Sequence, residues 1–162
     1  MSAHLLERRQ LIERDRDEVF AFFADAHNLE TITPPLLRFG VLAPPAIEMA
    51  RGTLIAYRML IHRVPVRWLT RIERWEPPEQ FIDVQLRGPY SEWHHTHTFE
   101  SVAGGTLIHD RVRYSIPLGA LGELAHTAFV RADLERIFDH RRDAVASVLG
   151  TGAAITQAPL RD

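Results

Sequence analysis

The chain contains no cysteine and no lysine. Without cysteine there is no disulfide, no thiolate metal ligand and no thiol nucleophile. Without lysine there is no Schiff-base chemistry and no lysine general base. All 19 basic residues are therefore arginine, a bias that reads first as genome composition. No apolar run approaches the roughly 20 residues of a membrane span. The first residues, Met1-Ser-Ala-His-Leu-Leu-Glu-Arg-Arg9, show no apolar signal-peptide core, so a cytoplasmic protein is expected. A formal net charge of −2, with no basic stripe, speaks against a nucleic-acid partner.

What is present suits one folded unit. The 162 residues are 46% hydrophobic and 25% charged, ordinary values for a globular chain with a sizeable core. The pattern assigns residues 1–150 to a single domain and 151–162 to a flexible tail beyond Gly150 and Gly152.

In chain order, His4–Arg14 alternates and predicts a first strand. Asp15 sits at a helix N-cap position with Glu18 three residues on, a capping-box spacing. Val19, Phe20, Phe22 and Phe23 make that helix strongly apolar. Asp25–Thr33 predicts a second short helix, closed by Pro34 and Pro35. Strands then follow at Leu37–Leu42, Thr53–His62, Val66–Trp75, Glu79–Arg87, Ser91–Phe99 and Thr106–Ser115. Pro65 is expected to open one connecting turn, and Gly104-Gly105 another. Turn signals at near-regular spacing describe an antiparallel meander. Leu121–Leu149 predicts one long helix with a single apolar stripe through Leu121, Leu124, Ala125, Ala128, Phe129, Ala132, Ile137, Phe138, Val145 and Val148. Arg136, Arg141 and Arg142 fall mostly off it, as a solvated face.

The stretch with the most chemical content is the hairpin joining Phe81-Ile-Asp-Val-Gln85 to Trp93-His-His-Thr-His-Thr-Phe99 across Gly88-Pro89. Alternate side chains on a strand share a face, so Trp93, His95, His97 and Phe99 point one way. His94, Thr96, Thr98 and Glu100 point the other. Phe81, Asp83 and Gln85 share a face of the partner strand. Asp83 and Gln85 then fall near His97 and His95. Two imidazoles between two aromatics on a buried face suggest a polar pocket inside an apolar cup.

The order of elements resembles the START-like (SRPBCC) helix-grip superfamily, over about Leu5 to Leu149. At motif level Asn28-Leu-Glu-Thr-Ile-Thr-Pro34, Gly52-Thr-Leu-Ile-Ala-Tyr57, Trp68 with Ile72, Gly88-Pro-Tyr90, Trp93 to Phe99 and Asp110-Arg-Val-Arg-Tyr114 resemble its ligand-binding, polyketide cyclase/dehydrase-like subgroup. The resemblance implies an α+β helix-grip fold. A curved antiparallel sheet of about seven strands would wrap a long C-terminal helix, with two short helices after strand 1 and a cavity between sheet and helix. It implies a small-molecule ligand rather than a settled substrate. Its mouth would lie near Asn28, Leu29, Ile32 and Pro89.

Within that frame the candidate ligand-binding residues are Trp68, Asp83, Gln85, Trp93, His95, His97, Phe99, Asp110, Tyr114 and Phe129. Four readings compete for the polar subset. His95 and His97, about 6.5–7 Å apart at their Cα atoms, could share a metal with Asp110 or Asp83, but His-x-His alone is a weak signal. Gln85, His95, His97 and Asp110 could instead be a hydrogen-bonded ladder that fixes sheet register. The same ladder could read the polar end of a ligand. His95, His97 and Asp110 are also candidates for acid–base catalysis in a cyclase-, dehydratase- or hydrolase-like enzyme. No metal or other cofactor is expected. Two copies pairing through a sheet edge, and a protein-binding role like that of co-chaperone relatives, are the remaining partner classes.

Overall fold

A computed structural model describes residues 3–150; the tail expected at 151–162 lies outside the described residues. One seven-stranded antiparallel sheet has the order β1-β7-β6-β5-β4-β3-β2. Strand β1 (Ala3–Ile12) leads into α1 (Arg16–Ala24) and α2 (Asn28–Ile32). The meander is β2 (Gly40–Val41), β3 (Leu54–Ile61), β4 (Val64–Glu76), β5 (Gln80–Arg87), β6 (Glu92–Val102) and β7 (Gly105–Ser115). A helical run closes the chain as α3 (Ala120–Ala125), a π-turn (His126–Val130) and α4 (Arg131–Leu149). This is the expected α+β helix grip, with β1 closing onto β7 so that the first and last strands are neighbours.

The sheet curves where its pattern of alternation is interrupted. Strand β4 carries register shifts at Leu69/Thr70 and Ile72/Arg74, and such bulges bend and twist a strand. Along β6 the buried positions alternate through Trp93, His95, His97 and Phe99, so these side chains share the concave face. His94 on the convex face reaches Glu73 at 3.2 Å.

Several local expectations are corrected. Asp15 does occupy the N-cap of α1 but makes no side-chain capping bond; Glu18 instead pairs with Arg14 at 3.5 Å. Only Gly40–Val41 of the Leu37–Leu42 run is strand, because Pro35–Leu37 forms a 3-10 turn first. Pro65 does not open a turn. It lies within β4, and the turn is at His62 and Arg63, both with positive φ (49° and 69°). Two such residues match the twist of a two-residue hairpin, at a cost that glycine would not carry.

The C-terminal helix departs most. Its buried face runs through Gly122, His126, Leu134, Phe138 and Val145. Leu121, Leu124 and Phe129, expected on the apolar stripe, are exposed. A π-turn inserts an extra residue into the helical repeat, so a stripe drawn at constant period across it is out of phase on one side. Gly122 is required where it stands, since a Cβ there would lie 2.1 Å from the Pro117 carbonyl oxygen.

Candidate functional site

The helix does not cover the sheet evenly. Around β1, β7 and α4, Leu6, Val112, Tyr114, Leu134 and Phe138 pack into one core cluster with Trp93. Beneath α1, Phe20, Phe23, Phe81, Phe99, Ile108 and Val145 form another. Between α4 and strands β3 to β6 a cavity of about 900 Å³ remains. Its walls include Ile55, Tyr57 and Met59 of β3, Trp68, Thr70 and Ile72 of β4, Phe81 and Asp83 of β5, and Trp93, His95 and His97 of β6. Leu134, Ile137, Phe138 and Arg141 of α4 face them. No residue of β1 or β7 lines it.

Three polar side chains of that wall, Asp83, His95 and His97, close a ring with Asp110 behind them. Asp83 stands opposite His95 in the β5–β6 ladder, and His97 stands opposite Asp110 in the β6–β7 ladder. His97 Nε2 donates to Asp83 Oδ2 at 2.9 Å, and His95 Nε2 to Asp110 Oδ1 at 3.1 Å. His97 Nδ1 lies 2.8 Å from Asp110 Oδ1, an ion-pair contact outside hydrogen-bond geometry, and His95 Nδ1 lies 3.6 Å from Asp83 Oδ2. The two imidazoles lie against each other with centroids 3.7 Å apart, and Phe81 stacks on His97 at 4.1 Å.

Burial and charge drive the two histidines in opposite directions. Burial, helped by the neighbouring His97 charge, pushes His95 down to about 4 despite its bond to Asp110. Burial also disfavours the charged form of His97, but its contacts with Asp110 and Asp83 outweigh it and raise that ring. Burial alone would raise the carboxyls of Asp83 and Asp110. Their imidazole partners hold both down instead, Asp110 well below its usual range. Those directions favour a ring of two carboxylates, a charged His97 and a neutral His95. One negative charge is in excess.

Arg141 answers that excess. Its charge contributes to lowering Asp83 and tempers the upward shift that burial imposes on the Tyr57 hydroxyl. The guanidinium sits 4.9 Å over the Phe138 ring, and its Nε is buried with no hydrogen-bond partner among the described residues. Expected on a solvated face, it instead lines the cavity. The signal was the spacing from Leu134 and Phe138, which carries one helix face to 141 and then to Val145.

The candidate residues divide by position. Trp68, Asp83, Trp93, His95, His97 and Phe129 line the cavity. Asp110 does not; it supports both histidines from behind, on β7. Phe99 and Tyr114 face the same side of the sheet but lie in packed core, 2% and 0% exposed. Gln85 is turned to the hairpin end, where its Nε2 donates to the Tyr90 carbonyl at 2.7 Å. Gly88 makes room for it, because a Cβ there would fall 2.3 Å from Gln85 Oε1. The opening also differs from expectation. Ile32 is buried core, the Asn28 amide donates to the Phe22 carbonyl, and Pro89 is off the wall, leaving only Leu29 of that set on it. The solvent-side wall is formed by Leu36, Arg38, His62, Arg63 and Phe129. His62 Nε2 meets Asp133 Oδ2 at 2.6 Å, fastening the β3–β4 hairpin to α4.

Comparison with solved structures matches this architecture along nearly the whole chain. A START superfamily protein from Mycobacterium smegmatis superposes with a TM-score of 0.67 at 11% identity, covering 90% of this chain and 99% of that one. The fold is the START-like helix grip. A protein from Chromobacterium violaceum aligns with a TM-score of 0.71 at 12% identity, over 91% of this chain and 98% of its own. Ara h 8.0201 gives a TM-score of 0.61 at 15% identity, over 90% and 99% of the two chains. No family model and no curated protein matches the sequence. Likeness at such identity carries the START-like backbone and no side-chain chemistry. Among the described residues no helix is long and apolar enough to cross a membrane.

Proposed function

We propose that this START-like protein binds a small, largely apolar or aromatic molecule between β3–β6 and α4. The carrying observation is a cavity of about 900 Å³ with mainly apolar walls and a few convergent polar groups. That size and make-up match small-molecule sites, about 300–1,000 Å³. Trp68 and Trp93 flank the body of the guest, while Asp83, His95 and His97 meet its polar end. Arg141, with an unsatisfied Nε, offers a donor to an acceptor oxygen on the guest. Water in such a hollow finds few partners along the apolar walls, so displacing it favours binding.

The probe for this reading is 1-anilinonaphthalene-8-sulfonate, an aromatic anion of suitable size. Saturable, single-site fluorescence enhancement is expected for the wild type, and its loss in Met59→Trp, which fills the hollow. Equal enhancement in both proteins would contradict the reading.

One observation favours a second reading, acid–base catalysis of the cyclase, dehydratase or hydrolase kind. Two adjacent imidazoles with opposed shifts supply a proton donor and a neutral acceptor in one buried site. His95→Ala separates the readings: it abolishes turnover in an enzyme and only weakens binding in a carrier.

A further inference from the structure

Tyr114 points its hydroxyl away from the cavity, to a second histidine cluster that the proposed ligand does not use. His4 on β1, Glu123 on α3 and His126 at the π-turn each place one donor atom within 4.8 Å of the others. Both histidines are buried, His4 at 8% and His126 at 6% exposure. Their rings stack at 3.6 Å with an interplanar angle of 14°. His4 Nε2 is buried without a hydrogen-bond partner among the described residues. It lies 3.2 Å from Glu123 Oε2, outside hydrogen-bond geometry. A buried ring nitrogen left in that state is costly unless something takes its lone pair.

A metal ion would take it. Two donors about 2.0–2.1 Å from one tetrahedral ion are about 3.3 Å apart, close to the His4–Glu123 spacing. Two imidazoles and a carboxylate form a donor set of the borderline kind that first-row divalent ions prefer. Tyr114 Oη, 2.9 Å from His126 Nε2, supplies the outer contact that fixes a ligating ring. Glu123 is the most exposed of the three, its side chain 35% accessible, so it can swing onto an ion and leave a position for water. π-turns are also frequent where a helix serves a site.

We propose that His4, Glu123 and His126 bind one first-row divalent transition ion, clamping the start of β1 to the helix that follows β7. Asp83, His95 and His97 also place donors within 4.8 Å of one another. There, however, both imidazoles face carboxylates on two sides, and the fourth member, Asp110, closes the ring. The metal therefore goes to the outer cluster and not to the cavity.

The test titrates chelator-stripped full-length protein with zinc against a chromophoric competitor, near neutral pH. Wild type, Glu123→Gln, His126→Gln and His97→Gln are compared. One zinc per chain is expected in the wild type and in His97→Gln, with affinity reduced about tenfold or more in Glu123→Gln and His126→Gln. Zinc should also raise the melting temperature of the wild type and not of Glu123→Gln, a partly exposed substitution that leaves the core intact. Absence of stoichiometric zinc in the wild type would overturn the proposal. So would a loss confined to His97→Gln, or Glu123→Gln binding as tightly as wild type.

Discussion

The concave face of the sheet has a filled part and a hollow part, and the strands that form them read alike in sequence. Phe99 and His97 are two residues apart on β6, on the same face and almost equally buried. Phe99 is enclosed by Phe20, Phe23 and Phe81, whereas His97 borders a cavity. The difference comes from what lies across the sheet: α1 caps one end of β6, while α4 stands off β3 to β5. Side chains in the filled part act by packing. Those in the hollow part act by what they leave unoccupied.

The largest effect should come from the filled part. Phe99→Ala is expected to cost about 3–5 kcal/mol in urea unfolding, the range for emptying a buried aromatic site. Trp68→Ala, on the cavity wall and only partly buried, should cost less than about 2 kcal/mol because its surroundings are already loose while weakening probe binding. Equal losses would erase the distinction between the two parts.

Behind the hollow part, Asp110 should matter almost as much as a core aromatic. Asp110→Ala leaves the His97 imidazolium with one carboxylate instead of two, and breaking a buried pair costs about 3–5 kcal/mol. The half-exposed His94–Glu73 pair on the convex face provides the contrast, and His94→Ala should cost less than about 1 kcal/mol.

Stability should also peak near neutral pH. Depression of His95 to about 4 means that the unfolded chain binds that proton first. Stability should then fall as pH drops from about 6.5, the free histidine value, toward 4, and fall further as Asp83 and Asp110 titrate below their unfolded values. His97, raised, contributes stability below about 6.5 that fades as pH rises through its folded value. Denaturant midpoints across this range should show both limbs, and His95→Gln should flatten the acid one. An unchanged acid limb would mean that the two rings are not opposed.

The smallest effect on stability should come from the rim. Leu36→Ser and Phe129→Ser, both at exposed positions, should stay within about 0.5 kcal/mol of wild type. Slower probe association in the same variants, measured by stopped-flow fluorescence, would mark them as the entrance.

Much of the fold was legible because alternation and turn chemistry are local. The face shared by Trp93, His95, His97 and Phe99 followed from parity alone, and the meander from its Gly and Pro punctuation. Parity says which face a residue takes, not what stands over it. Parity therefore groups Phe99 and Tyr114 with the cavity, although α1 and α4 bury them. The strand order explains Asp110 in the same way: β7 lies beneath the helix, so its carboxylate reaches the histidines but not the hollow. Leu121 and Leu124 depart from the stripe because a π-turn breaks the helical period without a proline or glycine to announce it. The charge of Arg141 suggests a solvated face, whereas its spacing from Phe138 turns it inward.

The most direct test of the binding account is native mass spectrometry of the full chain purified without added ligand, compared with its denatured mass. The account predicts an organic adduct lost on denaturation, absent or much reduced in Met59→Trp. A bare wild-type mass, together with no uptake of 1-anilinonaphthalene-8-sulfonate, would contradict it.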